Sequence, residues 1–239
     1  MSLSPVDTLG DPRWRGLNRM AGVAGGILGV LLVGETLVYA FFPRADTVLE
    51  HFMIFEQNRL VGLLTLDLLG MIAYLVFIPL ILALYVALRR TAEGLMAIAA
   101  VLFFLGIADF FATNNLFAIL TLSDQYASAS TSADRELLLA AGQAMFTLFN
   151  ENAFLVSYVL VSASWAMISV VMLRSKLFAR VTGWSGFLAG AAGIAAVILE
   201  HASPQQAVLN VAIGFYFAAI VLLFVWVLGV GRRLYRLAA

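Results

Sequence analysis

Between Met20 and Phe42 the chain runs for 23 residues with a single charged side chain, Glu35. Five further stretches repeat the pattern: Leu60 to Leu88, Leu95 to Leu122, Leu137 to Leu173, Gly183 to His201 and Ala207 to Val230. A helix crosses the hydrocarbon core of a bilayer with about 20 mostly apolar residues, and strands of a membrane barrel need only about ten that alternate. Runs of this length predict an all-α fold, a six-helix transmembrane bundle forming one integral membrane domain over residues 1–239. Composition agrees, since 12% of the 239 residues are charged against about 25% in soluble domains. Arg13, Arg15 and Arg19 precede the first run as they would precede a signal core. That run is longer than a signal core and lacks a small-x-small exit, so it reads as an uncleaved first helix.

Orientation follows from the basic residues, which are retained on the cytoplasmic side. Eleven of the 14 lie in the N-terminal segment, the second and fourth loops and the C-terminal tail, leaving Arg44, Arg59 and Arg135 on the other face. Both termini are therefore expected in the cytoplasm, with Trp14, Trp184 and Trp226 as an aromatic belt at that interface. In the first outer loop, Thr47-Val48-Leu49-Glu50 has the form of a capping box ahead of Phe52, Met53 and Phe55, which predicts a short amphipathic helix on the outer face. Thr131 or Ser132 is expected to cap the fourth helix, which is too long for the hydrocarbon alone and continues outward. Gly22, Gly25, Gly26 and Gly29, and Gly186 and Gly190, have the spacing that lets helices pack closely in lipid.

Function classes narrow by exclusion. Fourteen basic and 14 acidic side chains cancel, which leaves no basic field for nucleic acid. With no cysteine, thiolate metal sites and cysteine nucleophiles are out of reach. Nucleophile-elbow, HExxH and phosphate-loop patterns do not occur. His51 and His201, with Glu200, are candidates for a metal only in the weak sense that they share the outer face.

The chemistry-bearing residues are the acids Glu35, Asp67, Asp109 and Glu151, one in each of the first four runs and none with a basic residue at its depth. Each would cost about 2.5–3.5 kcal/mol at the bilayer centre if charged and unpaired. They must be protonated and hydrogen-bonded, bound to a cation, or exposed to a water-filled cavity. Counted at 1.5 Å per residue from the cytoplasmic ends, all four fall in the outer half, with Asn114, Asn115, Asn150, Asn152, Glu200, His201 and Asn210. We read this as an outward-open polar vestibule. Asp67 shares a helical face with Gly70 and Tyr74, and Asp109 with Gly106 and Thr113. Gln143, Thr147, Asn150, Ser157 and Ser164 form one polar stripe, and residues 112–117 are expected to face residues 149–154 in a hairpin. The competing reading of the amides is interhelical glue.

Leu122-Ser123-Asp124-Gln125-Tyr126-Ala127, together with the basic stretch Leu173-Arg174-Ser175-Lys176-Leu177-Phe178-Ala179-Arg180-Val181-Thr182-Gly183-Trp184, resembles the multi-pass family called domain of unknown function 4386. The resemblance implies a bacterial inner-membrane protein and supplies no activity or catalytic residue. On the residues themselves, the leading expectation is binding, extended to transport, of a small polar or cationic ligand by Glu35, Asp67, Asp109, Asn114, Asn115, Asn150 and Glu151, with proton coupling through Asp109 or Glu151. Alternatives are an intramembrane enzyme, metal-dependent or not, acting on lipid-like substrates at the outer interface, and a structural or partner-binding subunit. The sequence does not identify a cofactor.

Overall fold

The computed structural model describes residues 12–42, 45, 47–149 and 155–238. Among these there is no strand, and six helical segments are long and apolar enough to cross a membrane. In chain order the helices are α1 (Pro12–Phe41), α2 (Val48–Gln57), α3 (Arg59–Thr65), α4 (Leu68–Leu88), α5 (Glu93–Thr113), α6 (Leu116–Ser128), α7 (Ser132–Leu148), α8 (Ser157–Ser175), α9 (Arg180–Ala202) and α10 (Gln206–Ala238).

Helix α10 packs against α1 and α9, α9 against α8, α8 against α5, and α1 against α4. Leu80, Ile81 and Leu84 of α4, Phe103 of α5, Ile168 of α8 and Trp226 of α10 meet in the fully buried centre. The outward faces stay apolar: Val23, Ile27, Val30, Val33, Leu37 and Phe41 recur at three- and four-residue steps along α1, each more than 40% exposed. A stripe of that kind turned away from the core is what lipid solvates. Glycine sets the closest approach. A Cβ on Gly25 would stand 2.6 Å from the Cα of Gly231, and one on Gly22 2.9 Å from the Cα of Tyr235, so α1 and α10 touch backbone to backbone. Gly26 has nothing within 4 Å; of the two interleaved glycine pairs in α1, Gly25 with Gly29 and Gly22 face α10, and Gly26 does not.

Three of the expected continuous runs are broken, all at the end of the bundle remote from the termini. In the run from Leu60, the chain turns at Leu66 and Asp67, where Asp67 takes left-handed backbone angles (φ 72°) and α4 begins afresh. Aspartate is among the few residues that visit this region, because its short side chain bonds locally. In the run from Leu95, the Asn114 N–H closes α5 on the Phe110 carbonyl and its Oδ1 accepts from the Leu116 N–H to open α6. In the run from Leu137, α7 stops at Leu148, and Phe149 and residues 155–156 are wound as π-helix. Hydropathy continues across each break; the Asn114 side chain bonds the opening turn of α6, whereas Asp67 makes no side-chain cap bond to α4.

The segments beyond the breaks build a four-helix cap from α2, α3, α6 and α7, with its own core of Val48, Phe52, Phe55, Leu66, Leu116 and Ile119. Helix α2 forms as expected: Thr47 accepts from the Glu50 N–H while Glu50 accepts from the Thr47 N–H. Its apolar face is turned onto protein, with Val48 and Phe52 against Gly142 of α7, while Leu49 and Met53 remain exposed. Asn58 ends α2 through its N–H to Ile54 and starts α3 by accepting from Leu60 and Val61. Thr131 is the cap of α7, accepting from the Asp134 N–H. A further expectation is corrected. Trp226 is fully buried against the space left by Gly186 and is no part of an interfacial belt, whereas Trp184 is exposed.

Candidate functional site

Where cap meets bundle, the break at Asp67 aims its carboxyl back over the first turn of α4. Both oxygens lie where a Cβ of residue 70 would be, so Gly70 is the residue that makes room for them. The Glu35 side chain, entering from α1, hydrogen-bonds the Asp67 carboxyl. Such a bond needs a proton on one of the two groups, since an ionised carboxylate only accepts. Asp67 is 6% exposed, and its Oδ1 has no hydrogen-bond partner among the described residues.

Aromatic hydroxyls surround the pair. Tyr74, two turns along α4 from Asp67, lies beside the Ser157 hydroxyl at the start of α8 and packs on the Phe110 ring at 4.6 Å. Tyr158 comes within electrostatic reach of Glu35, and its ring stands 5.7 Å from that of Tyr216 on α10. The Tyr216 hydroxyl donates to Glu200 Oε2 at 2.7 Å. Below the pair, Phe77 meets Phe103 edge-on and Trp165 at a tilt, with ring centroids 5.8 and 5.7 Å apart, inside the buried core of the bundle.

Of the residues the sequence nominates, Glu35 and Asp67 are brought together, with Tyr74 and Ser157 as neighbours. Asp109 is half-buried, and its Oδ2 is buried without a partner among the described residues; the Thr113 hydroxyl donates to its backbone carbonyl. Asn114 and Asn115 serve the junction: Asn114 caps α6, and Asn115 Nδ2 donates to the Met145 carbonyl at 3.3 Å, tying α6 to α7. Asn150, Glu151 and Asn152 lie outside the described residues. The polar stripe divides, because Gln143 and Thr147 bond each other on the exposed face of α7 while Ser157 and Ser164 are buried, Ser164 donating to the Ala99 carbonyl. Gln206 donates to Asn210 at the exposed start of α10.

The weak metal candidates are dispersed. His51 packs on Phe146 in the cap with ring centroids 4.9 Å apart. His201 bonds the Val197 carbonyl, and Glu200 takes the Tyr216 hydroxyl. Among the described residues, no three histidine, aspartate or glutamate side chains gather as a metal would require. Burial holds the His51 imidazole down to about 4, against the opposing pull of Glu50.

Tyr158 and Tyr216 escape a reading by charge because tyrosine counts as apolar in hydropathy. The usable signal is that a buried tyrosine hydroxyl inside an apolar run needs a partner.

Six lipid-facing helices under a folded cap, with a carboxyl pair held at their junction, define a multi-pass membrane protein. Residues 16–231 match the family described as Domain of unknown function (DUF4386), and the chain belongs to it. No curated protein and no solved structure gives a significant match.

Proposed function

We propose that the protein binds a small cationic solute at the Glu35–Asp67 pair, beneath the cap. The observation that carries this reading is a buried acid, Asp67, with an unpartnered oxygen and a second acid as its neighbour. A cation satisfies that oxygen and displaces the proton the two groups otherwise share. Tyr74 and Tyr158 supply aromatic faces and hydroxyls, which suit an amine or quaternary ammonium better than a bare metal ion. The buried aromatic cluster of Phe77, Phe103 and Trp165 favours binding over conduction. Asp109, with its own unpaired oxygen, belongs to the same reading as a second polar group; Asn150 and Glu151, which the sequence also nominates, lie outside the described residues. The distribution of basic residues supports an orientation with both termini in the cytoplasm and the cap outside, in a bacterial inner membrane.

Thermal unfolding of the detergent-solubilised protein with sodium, ammonium, tetramethylammonium and choline chlorides tests this. A ligand at about 100 times its Kd stabilises by about 2.7 kcal/mol. One of these cations is expected to raise the melting temperature of the wild type, and the rise is expected to vanish in Glu35→Gln and Asp67→Asn. A panel without effect, or an equal rise in both variants, refutes the proposal.

A further inference from the structure

We infer that the turn between α8 and α9, with the end of α10 laid against it, is a docking site for the phosphate of an anionic phospholipid. The carboxyl pair lies at the other end of the bundle and makes no use of the basic stretch over residues 173–184. Arg174, Lys176 and Arg180 of that stretch and Arg232, Arg233 and Arg236 of α10 are all exposed. Arg233 Nε donates to the Leu177 carbonyl at 2.8 Å, which lays its guanidinium on the turn that carries Lys176 and Arg180. None of the six pairs with an acid among the described residues. The one acidic side chain described at this end of the bundle is Glu93, at the start of α5.

Local geometry holds these cations in place. The Ser175 hydroxyl donates to the Met172 carbonyl and accepts from the Leu177 N–H. Lys176 has left-handed backbone angles (φ 56°), a conformation that glycine or asparagine adopts more easily. A lysine there gives up backbone ease and keeps a charge at the turn. The Arg233 bond orients its guanidinium through Nε and leaves both Nη groups without a partner among the described residues, in the fork that suits phosphate oxygens. Acyl-chain surface lies beneath. Val181, Trp184 and Leu188 follow Arg180 on one exposed face of α9, and Val221, Val225 and Leu228 lead up to Arg232 on α10 at three- and four-residue steps. Trp184, one turn from Arg180, marks the headgroup level. Cations at that depth above apolar stripes suit a phospholipid over a soluble anion. Retention of positive charge on the cytoplasmic side asks only for basic residues, and neither a left-handed lysine nor the joining of two elements through Arg233 follows from it.

Trp184 fluorescence reads occupancy. The full chain carrying Trp14→Phe, in phosphatidylcholine vesicles, is titrated with phosphatidylglycerol brominated in its acyl chains and, separately, with brominated phosphatidylcholine. Trp165 and Trp226 are buried, which leaves Trp184 to carry the quenching. Half-quenching is expected at a lower mole fraction of phosphatidylglycerol than of phosphatidylcholine. Lys176→Gly and Arg180→Gln are each expected to reduce that preference by about fivefold, the effect of one cation beside an anionic membrane surface. Lys176→Gly suits the left-handed turn, so it is expected to melt no lower than its parent while losing lipid preference. Arg89→Gln with Arg90→Gln, which removes two charges from the turn between α4 and α5, is expected to leave the preference unchanged. Equal half-quenching by the two lipids, full preference in Lys176→Gly, or an equal fall in the Arg89 and Arg90 variant overturns the site. Relief of phosphatidylglycerol quenching by inorganic phosphate would make a soluble anion the occupant and sink the lipid.

Discussion

Gly70→Ala tests the geometry of the pair without removing an acid. In a helix interior alanine is worth about 1 kcal/mol over glycine, and residue 70 is in the first turn of α4. The new methyl would overlap both Asp67 oxygens and stand 2.6 Å from its Cγ, so the carboxyl must swing away from Glu35. Overpacking of this kind costs about 1–3 kcal/mol. The net effect in the wild type is therefore from near zero to about 2 kcal/mol of destabilisation. In an Asp67→Ala background the colliding atoms are gone and the same substitution keeps only its gain of about 1 kcal/mol. The left-handed strain that alanine brings at position 67 is common to both arms and cancels. Urea unfolding of the four proteins in detergent should give a coupling of about 1–3 kcal/mol between positions 67 and 70, and cation stabilisation should be lost in Gly70→Ala although Glu35 and Asp67 remain. Additivity within about 0.5 kcal/mol would show that the carboxyl does not lie over Gly70, and the described pair would fall with it.

Acid should loosen the cap. His51 titrates at about 4 in the fold and at 6.5 when exposed, so between these values the open form binds the proton and the folded form does not. Stability contributed by neutral His51 is complete above pH 6.5 and falls as pH drops toward 4, by up to about 3 kcal/mol; amide protection factors of α2 and α7, taken against the intrinsic exchange rate at each pH, should fall over that window in the wild type and not in His51→Leu, and identical pH profiles would remove His51 as the cause. Gly25→Ala should destabilise by about 1–3 kcal/mol, because its Cβ meets Gly231 and Val227 backbone atoms that cannot yield. Gly26→Ala, with open space beside it, should be neutral or stabilising by up to about 1 kcal/mol; equal losses at the two positions would contradict the α1–α10 contact.

Local rules were legible in the sequence wherever neighbouring residues decide the outcome. The Thr47–Glu50 box and the Thr131 cap both follow from spacings of three residues. Helix interruptions did not, because apolar residues continue on both sides of Asp67 and of Asn114. A polar residue inside such a run reads as a marker of depth, while physically it is also the group that can satisfy a broken end. Once the breaks are missed, helical phase cannot be carried through them. Gln143 and Ser157 were placed on one stripe, yet π-helical winding at Phe149 and residues 155–156 sets the two segments in different surroundings. Trp226 illustrates the other limit. Its distance from Arg232 suggested an interface, but the gap at Gly186 that receives it lies on another helix, and no rule of spacing connects the two.

Those same breaks bear on why an acid stands at Asp67. Ending a helix within reach of lipid leaves backbone groups that must be satisfied by protein, and the cap provides the cover. For the turn itself, asparagine or glycine would adopt the left-handed backbone at least as readily. A carboxyl here costs more: it is buried, one of its oxygens lacks a partner among the described residues, and its neighbour is a second carboxyl. None of these terms helps the fold, and an amide would bond Glu35 without needing a shared proton. What the acid offers over an amide is the capacity to take up a proton or a cation, and that difference is what the proposed site uses.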